Sequence, residues 1–423
     1  MYKYILTFFI LFTFTLWGAD WLSIQGLQSN NSKQHNLWGF AQVRHVQTEG
    51  SEFEKNGVNL TPFSLNKPDL TQSKSTGIAR FRIGLRGKID ENNKINYFFL
   101  TEFGQNGVTE PAGHSMDNYI TDASVTLRYL PVNIRIGQFK YPGSEEGLMA
   151  RFVSPFIQFT TLSDQLLLER FINPSQNVGT TYIGEPAYGV GGYRDIGVEL
   201  FYKQRFTDSD SLSYAYMLGL GTGTTWENNN DSKPTHYGYL SYEKLFGKGK
   251  GYHTESFKLY AWLQQGKRKL ANEFYDRKRL GLGMSYFYNG FRLESEYIQG
   301  EGMIYSGAKD VDTTQAKEEW HFAMETDDKN SADGYYVAST YEVLDGIEVL
   351  ARYDRYNRMT NSKAKERVFK NVTLGASYRF KGFNRVDLNY EVRDMEAPYN
   401  DAAQNVLDHS GNVLRVQLTL VYK

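Results

Sequence analysis

The residues of this chain that could do chemistry are its arginines, lysines and carboxylates, and the way they are spaced points to charge display rather than catalysis. There is no Gly-x-Ser-x-Gly elbow, no phosphate loop ending in Gly-Lys-Ser/Thr, and no His-Glu-x-x-His. The seven histidines are scattered, and Gly189 to Tyr193 precedes a strand pattern, where glycines serve a turn. The chain has no cysteine, which excludes thiolate metal sites and disulfides. We therefore expect no catalytic residue, no metal and no cofactor, and we read the chain as no enzyme. Charge is what is ordered. Arg80, Arg82, Arg86 and Lys88 fall at even spacing, with Phe81, Ile83 and Leu85 between them. On a strand this puts guanidinium groups on one face and apolar groups on the other. A water-filled space walled by such faces concentrates anions.

The elements that would hold those faces recur along the whole chain. Sixteen segments alternate apolar and polar residues: 37–46, 78–89, 94–103, 118–130, 132–139, 194–203, 211–220, 236–246, 254–265, 278–288, 290–299, 334–343, 347–356, 367–379, 383–393 and 412–422. Each is about the ~9–11 residues a tilted strand needs to cross a bilayer. Short connections, such as Asn289-Gly290 and Lys381-Gly382, alternate with long ones at 47–77, 104–117, 140–193, 221–235, 266–277, 300–333, 357–366 and 394–411. Short turns on one side and long loops on the other are the layout of an outer-membrane barrel. A composition with 31 Tyr, 27 Phe, 39 Gly and 10 Pro suits strands, turns and aromatic girdles. A soluble sandwich shares the alternation, but it would not place eight long loops on one side. The fold expected is thus an all-β transmembrane antiparallel barrel of about sixteen strands.

The ends and the charge balance add to this. Lys3 followed by the apolar run Ile5 to Trp17 and the small residues Gly18 and Ala19 reads as a signal peptide over residues 1–19. Residues 20–36 are a short polar lead-in, and 37–423 form one barrel domain. The net charge of −1 supplies no global field for nucleic acid, so no nucleic-acid partner is expected. Outer-membrane lipid and lipopolysaccharide are the expected surroundings.

With the polar faces inward, the first five strands contribute Arg44, Arg80, Arg82, Arg86, Lys88, Arg128 and Arg135 against Glu102 and Asp122. The eleventh to thirteenth strands contribute Glu294, Glu296, Glu342, Glu348 and Asp354 against Arg292 and Arg352. The expected anion path is Arg44, Arg80, Arg82, Arg86, Arg128, Arg135 and Lys140. The longest loop, 140–193, follows the fifth strand as the third outer loop. It holds Phe152, Phe156, Phe159, Leu162, Leu166, Leu167 and Leu168, which need burial. We expect it to fold into the barrel and narrow it, with Glu145, Glu146, Arg151, Asp164, Glu169 and Arg170 at the constriction and a short helix at 164–170.

Three stretches resemble the phosphate-selective porin O and P family: Arg135 to Lys140, Leu167-Leu168-Glu169-Arg170, and Tyr193 to Leu200. The resemblance implies a sixteen-stranded trimeric barrel, passive uptake of anions and an arginine-lined path. Arg80, Arg82, Arg86 and Arg135 are the positions set against that lining. The expectation is a porin of the Gram-negative outer membrane that passes small hydrophilic solutes, favours anions such as phosphate, and forms a homotrimer. The alternatives are a porin for other small solutes, an adhesive non-conducting barrel, and a barrel hydrolase.

Overall fold

A strand that is apolar on one face and polar on the other needs hydrogen-bonded neighbours on both edges, because lipid offers none. The computed structural model meets this need by closure: sixteen antiparallel strands form a barrel in which the first pairs with the last. It describes residues 21–25, 34–51, 53–55, 58–60, 74–104, 106, 119–168, 172–186, 192–221, 223, 233–249, 251–308 and 322–422. The expected signal peptide, residues 1–19, lies outside the described residues.

The barrel strands are β1 (Asn36–Gly50), β2 (Lys74–Lys88), β3 (Ile95–Glu102), β4 (Tyr119–Leu127), β5 (Asn133–Lys140), β6 (Arg194–Arg205), β7 (Asp210–Gly219) and β8 (Thr235–Leu245). They continue as β9 (Ser256–Leu270), β10 (Glu273–Tyr288), β11 (Phe291–Gly302), β12 (Ser331–Leu344), β13 (Ile347–Arg358), β14 (Arg367–Lys381), β15 (Asn384–Glu396) and β16 (Ser410–Tyr422). Every segment expected from the alternation falls on one of them. Register follows the hydrophobic pattern, since a slip of one residue would turn an apolar face inward. Leu218, Leu240, Leu263, Leu280, Leu282 and Leu374 stand exposed on the outside, which water would penalise and lipid does not. At the short-turn end, Phe246 lies against Tyr286 and Tyr288, and Tyr378 against Phe380, as part of an aromatic girdle.

Three expectations change. The connection 266–277 is not a long loop. β9 and β10 run on past the apolar band and meet in a two-residue turn, Ala271-Asn272, where both residues take positive φ (49° and 73°), the geometry that matches strand twist. The sequence there reads as loop because its arms are mostly polar, and Leu270 is buried against residues of distant loops. Second, loops 140–193 and 300–333 are not independent. Thr181–Pro186 pairs with both Ile172–Val178 and Phe322–Glu325, and Phe322–Glu325 with Ile304–Ala308, in a four-stranded sheet outside the barrel ladder. Third, the inner face is not polar on every strand. β7, β8 and β9 turn Ala215, Met217, Tyr237, Tyr239, Tyr260 and Trp262 inward, and all are buried.

Those rings lie flat over glycines. A Cβ at Gly283 would run into the ring of Tyr260, and one at Gly281 into the indole of Trp262. Gly283→Val should therefore overpack this wall at about 1–3 kcal/mol. It should lower the temperature at which the folded band is lost in gel mobility after graded heating.

The turn between β8 and β9 folds back toward the lumen. Its His253 stacks 6.3 Å from Phe383 and sits edge-on to Phe287. Burial first, then Arg379 and Arg292 nearby, push His253 down to about 4, below the ~6.5 of an unfolded chain. Above pH ~6.5 the ring is neutral in both states. As pH falls from there toward 4, the unfolded chain takes up the proton and the folded one resists it, so stability is lost across that window. Thermal unfolding in detergent from pH 7.5 to 4.5 should show the loss, and His253→Gln should remove most of it.

Candidate functional site

The lumen is the site, and one loop shapes it. Leaving β5 at Lys140, the chain turns inward and crosses the lumen from Tyr141 to Leu168. Only Glu145–Leu148 and Ser163–Leu167 are helical turns, the latter of π type. The expected helix at 164–170 is thus one turn, begun a residue earlier. The remaining carbonyls have no ladder, and buried carbonyls need donors. Cations supply them. Lys140 Nζ donates to the carbonyls of Gly147 (2.8 Å), Leu148 (3.1 Å) and Met149 (3.0 Å). Arg385 of β15 donates to Phe152 (2.7 Å) and Val153 (3.1 Å), Arg352 of β13 to Gln158 (3.0 Å), and Arg279 of β10 to Leu166 (3.0 Å). Within the loop, Arg151 donates to Phe156 (2.6 Å). Burial, largest of its causes, brings the Arg151 guanidinium down to about 10, still charged at neutral pH.

Most of the loop's apolar residues face β6 to β14, while Phe152 packs on Trp38 and Phe40 of β1. Leu148, Met149, Phe159, Leu162, Leu166 and Leu167 share one buried cluster with Tyr237, Tyr239, Tyr260, Trp262, Tyr356 and Phe369. The acidic wall is spent on the same docking. Ser144 donates to Glu296 (2.7 Å), and the Thr161 amide to Asp354 (3.0 Å). Glu145 pairs with Lys258 (2.9 Å) and accepts from Tyr239, while Glu146 accepts from the amide (2.8 Å) and hydroxyl (2.6 Å) of Thr160. Asp164 is buried in the π turn. Glu169 and Arg170 lie outside the described residues.

The expected anion path divides in two. Arg44, Arg80 and Arg82 point inward side by side on β1 and β2, facing Arg151 of the loop. Arg44 donates to Gln158 (3.1 Å), Arg80 to Gln42 (3.1 Å), and Arg82 pairs with Glu102 (2.6 Å). Arg86 lies over the Trp38 ring at 5.3 Å. The others serve structure. Arg135 pairs with Glu199 (2.8 Å), both side chains fully buried, and Lys140 is taken up by the loop carbonyls. Arg128 reaches the carbonyl of Asn93 (3.4 Å) in the β3 turn, far along the strand from the loop.

Closure adds cations that a reading of the first five strands omits. β16 lies against β1, with Arg44 opposite Gln417 and Gln42 opposite Thr419. Arg385, Arg393 and Arg415 thereby join the basic patch, with Asp387 and Glu391 among them. Among the described residues, this wall holds buried polar atoms without a protein partner: Nε of Arg80, Nε and Nη2 of Arg415, Oε1 of Gln417 and Oγ1 of Thr373. Such atoms need water or a solute. The loop thus meets a largely aromatic wall on the β6–β13 side, while from β14 round to β3 the cations share the inner face with Trp38, Phe40, Phe98 and Leu100, on which Phe152 of the loop packs. The signal for Arg415 was present in the alternation of its own strand; the signal for its neighbours was not.

Lys140→Met would leave three carbonyls of the loop without their donor, each a charge-assisted bond of ~1.5–3 kcal/mol. Limited proteolysis of the detergent-solubilised barrel should cut faster between residues 141 and 168. An unchanged cutting rate would mean that Lys140 does not hold the loop.

The family model of Gram-negative porins matches residues 41–398. A sequence comparison with curated proteins finds no match. Among solved structures, the chain is similar to an anion-selective porin from Comamonas acidovorans, at 14% identity and a TM-score of 0.54, over 93% of this chain and 100% of that one. It is similar to Salmonella typhi OmpF in complex with daunomycin, at 14% identity and a TM-score of 0.53, over 94% and 99%. It also resembles a trimer form of in-vitro folded OmpT, an outer-membrane protein of Vibrio cholerae, at 12% identity and a TM-score of 0.50, over 92% and 100%. At these identities the structures share the fold. The family match spans most of the chain, and with the closed sixteen-stranded barrel it shows that the chain belongs to the Gram-negative porins, as an outer-membrane channel for small solutes.

Proposed function

We propose that this porin passes small hydrophilic solutes passively, without a catalytic step, and favours small anions, phosphate among them. The observation that carries the reading is the continuous basic wall of β15, β16, β1 and β2. Arg44, Arg80, Arg82, Arg385, Arg393 and Arg415 outnumber Asp387 and Glu391 there, with Glu102 on the adjoining β3. In a narrow channel with low-dielectric walls, such an excess raises the local concentration of anions and repels cations. Of the carboxylates opposite, Glu145 is paired with Lys258. The Comamonas porin's anion selectivity is in keeping with this reading. A homotrimer is part of the proposal, supported by the family resemblance and by the trimer form of the Vibrio protein.

Single-channel recording in a planar bilayer under a KCl gradient tests it. An anion-favouring reversal potential is expected, with phosphate blocking the chloride current. Arg80→Gln with Arg415→Gln should move the reversal potential toward the cation side. Arg128→Gln should leave it in place. A cation-favouring wild-type channel would refute the anion reading and leave the porin standing.

A further inference from the structure

The residues just ahead of the barrel are built into it. Trp21–Ile24 form a single helical turn, and Trp21, Leu22 and Gln25 are buried. Arg135 Nη2 on β5 donates to the carbonyl of Leu22 at 2.8 Å, while its Nη1 holds Glu199. Gln25 is joined to the main chain of Lys140 in both directions: the Lys140 amide donates to Oε1 at 3.0 Å, and Nε2 donates to the Lys140 carbonyl at 3.4 Å. The Trp21 ring lies 6.0 Å from that of Tyr252 in the β8–β9 turn. Trp21 and Leu22 belong to the same apolar cluster as the infolded loop. Five residues thus connect the loop end of β5 to a turn at the opposite rim. Two apolar residues at its start, Trp21 and Leu22, and hydrogen bonds at Leu22 and Gln25 define a fitted piece of the interior.

We propose that Trp21–Gln25 is a strap that closes the turn-side half of the lumen beneath the infolded loop, so that flow is confined to the basic wall. The proposal rests on the channel being open along that wall. The loop covers the lumen along the β6–β13 side at the height of Lys140. Nearer the short turns, what fills the space between Arg135 and Tyr252 is this segment. Its hold is a few hydrogen bonds and two apolar side chains, which places it among the easily opened parts of a folded chain. Taking it away would expose the Arg135–Glu199 pair to water and widen the passage.

The test compares the full chain with a deletion of residues 21–25 and with the double variant Trp21→Ala/Leu22→Ala, each confirmed as folded by heat-modifiable gel mobility. The double variant keeps the chain length and carries the test should the deletion fail to fold. Conductance should rise roughly 1.5-fold or more, as expected for a wider pore, and liposome swelling should admit larger sugars. Conductance and size limit equal to wild type in a folded variant would overturn the proposal. A silent wild type with conducting variants would overturn flow along the basic wall, and the proposal as stated with it. No current from any of the three would sink the channel reading itself, and the strap with it.

Discussion

A segment of main chain crossing the inside of a barrel must find a donor for each buried carbonyl, and the interior of this protein is organised around that requirement. The loop from Tyr141 to Leu168 has almost no regular structure with which to satisfy itself. Lys140, Arg279, Arg352 and Arg385 reach it from four places on the wall. Because these donors are charged and fixed on strands, they set where the loop lies as well as hold it. An apolar plug with no such donors would leave unpaired carbonyls in a place where water is scarce, at several kcal/mol each in the worst case.

The same arrangement explains why the lumen has two characters. The loop needs an apolar surface to dock on, and the inward Tyr260 and Trp262 of β9, lying over Gly283 and Gly281, help to provide one. Docking consumes carboxylates, through Ser144 on Glu296 and the Thr161 amide on Asp354. The wall of β15, β16, β1 and β2 holds the excess of cations, and two of them, Arg44 and Arg385, hold the loop as well. A chain of near-neutral net charge can in this way carry a locally basic passage, because its cations and acids sit on different arcs. Net charge, read from composition, says little about such a space.

Much of this was legible in the sequence, and the parts that were not share a cause. Period-two alternation is a local property, so Ile78 to Ile89 announces its strand without help from any other. The loop's need for burial was local too, in Phe152, Phe159 and Leu166. The role of each cation was not local. Arg80 and Arg135 look alike in sequence, each on the polar face of a strand. Only closure shows that Arg80 faces Arg44 and Arg151, while Arg135 meets Glu199 and the carbonyl of Leu22. Arg415 is hundreds of residues from Arg44 along the chain and one strand away in the barrel. The hairpin at Ala271-Asn272 escaped because its arms are mostly polar and what buries Leu270 there is the small sheet of distant loops.

The small sheet outside the barrel has a consequence for how this surface can change over generations. Thr181–Pro186 is a middle strand, bonded on one edge to its own loop and on the other to Phe322–Glu325. Lys365, from a third loop, reaches both Thr181 and Glu325. Two loops far apart in the gene therefore share one ladder, and neither can drift in length or register alone. Pressure from antibodies or phage on the cell surface would be absorbed by the edge strand, Ile172–Val178, which pairs on one side only among the described residues. The middle strand would vary only in step with its distant partner, so that the two stretches inherit change as a pair.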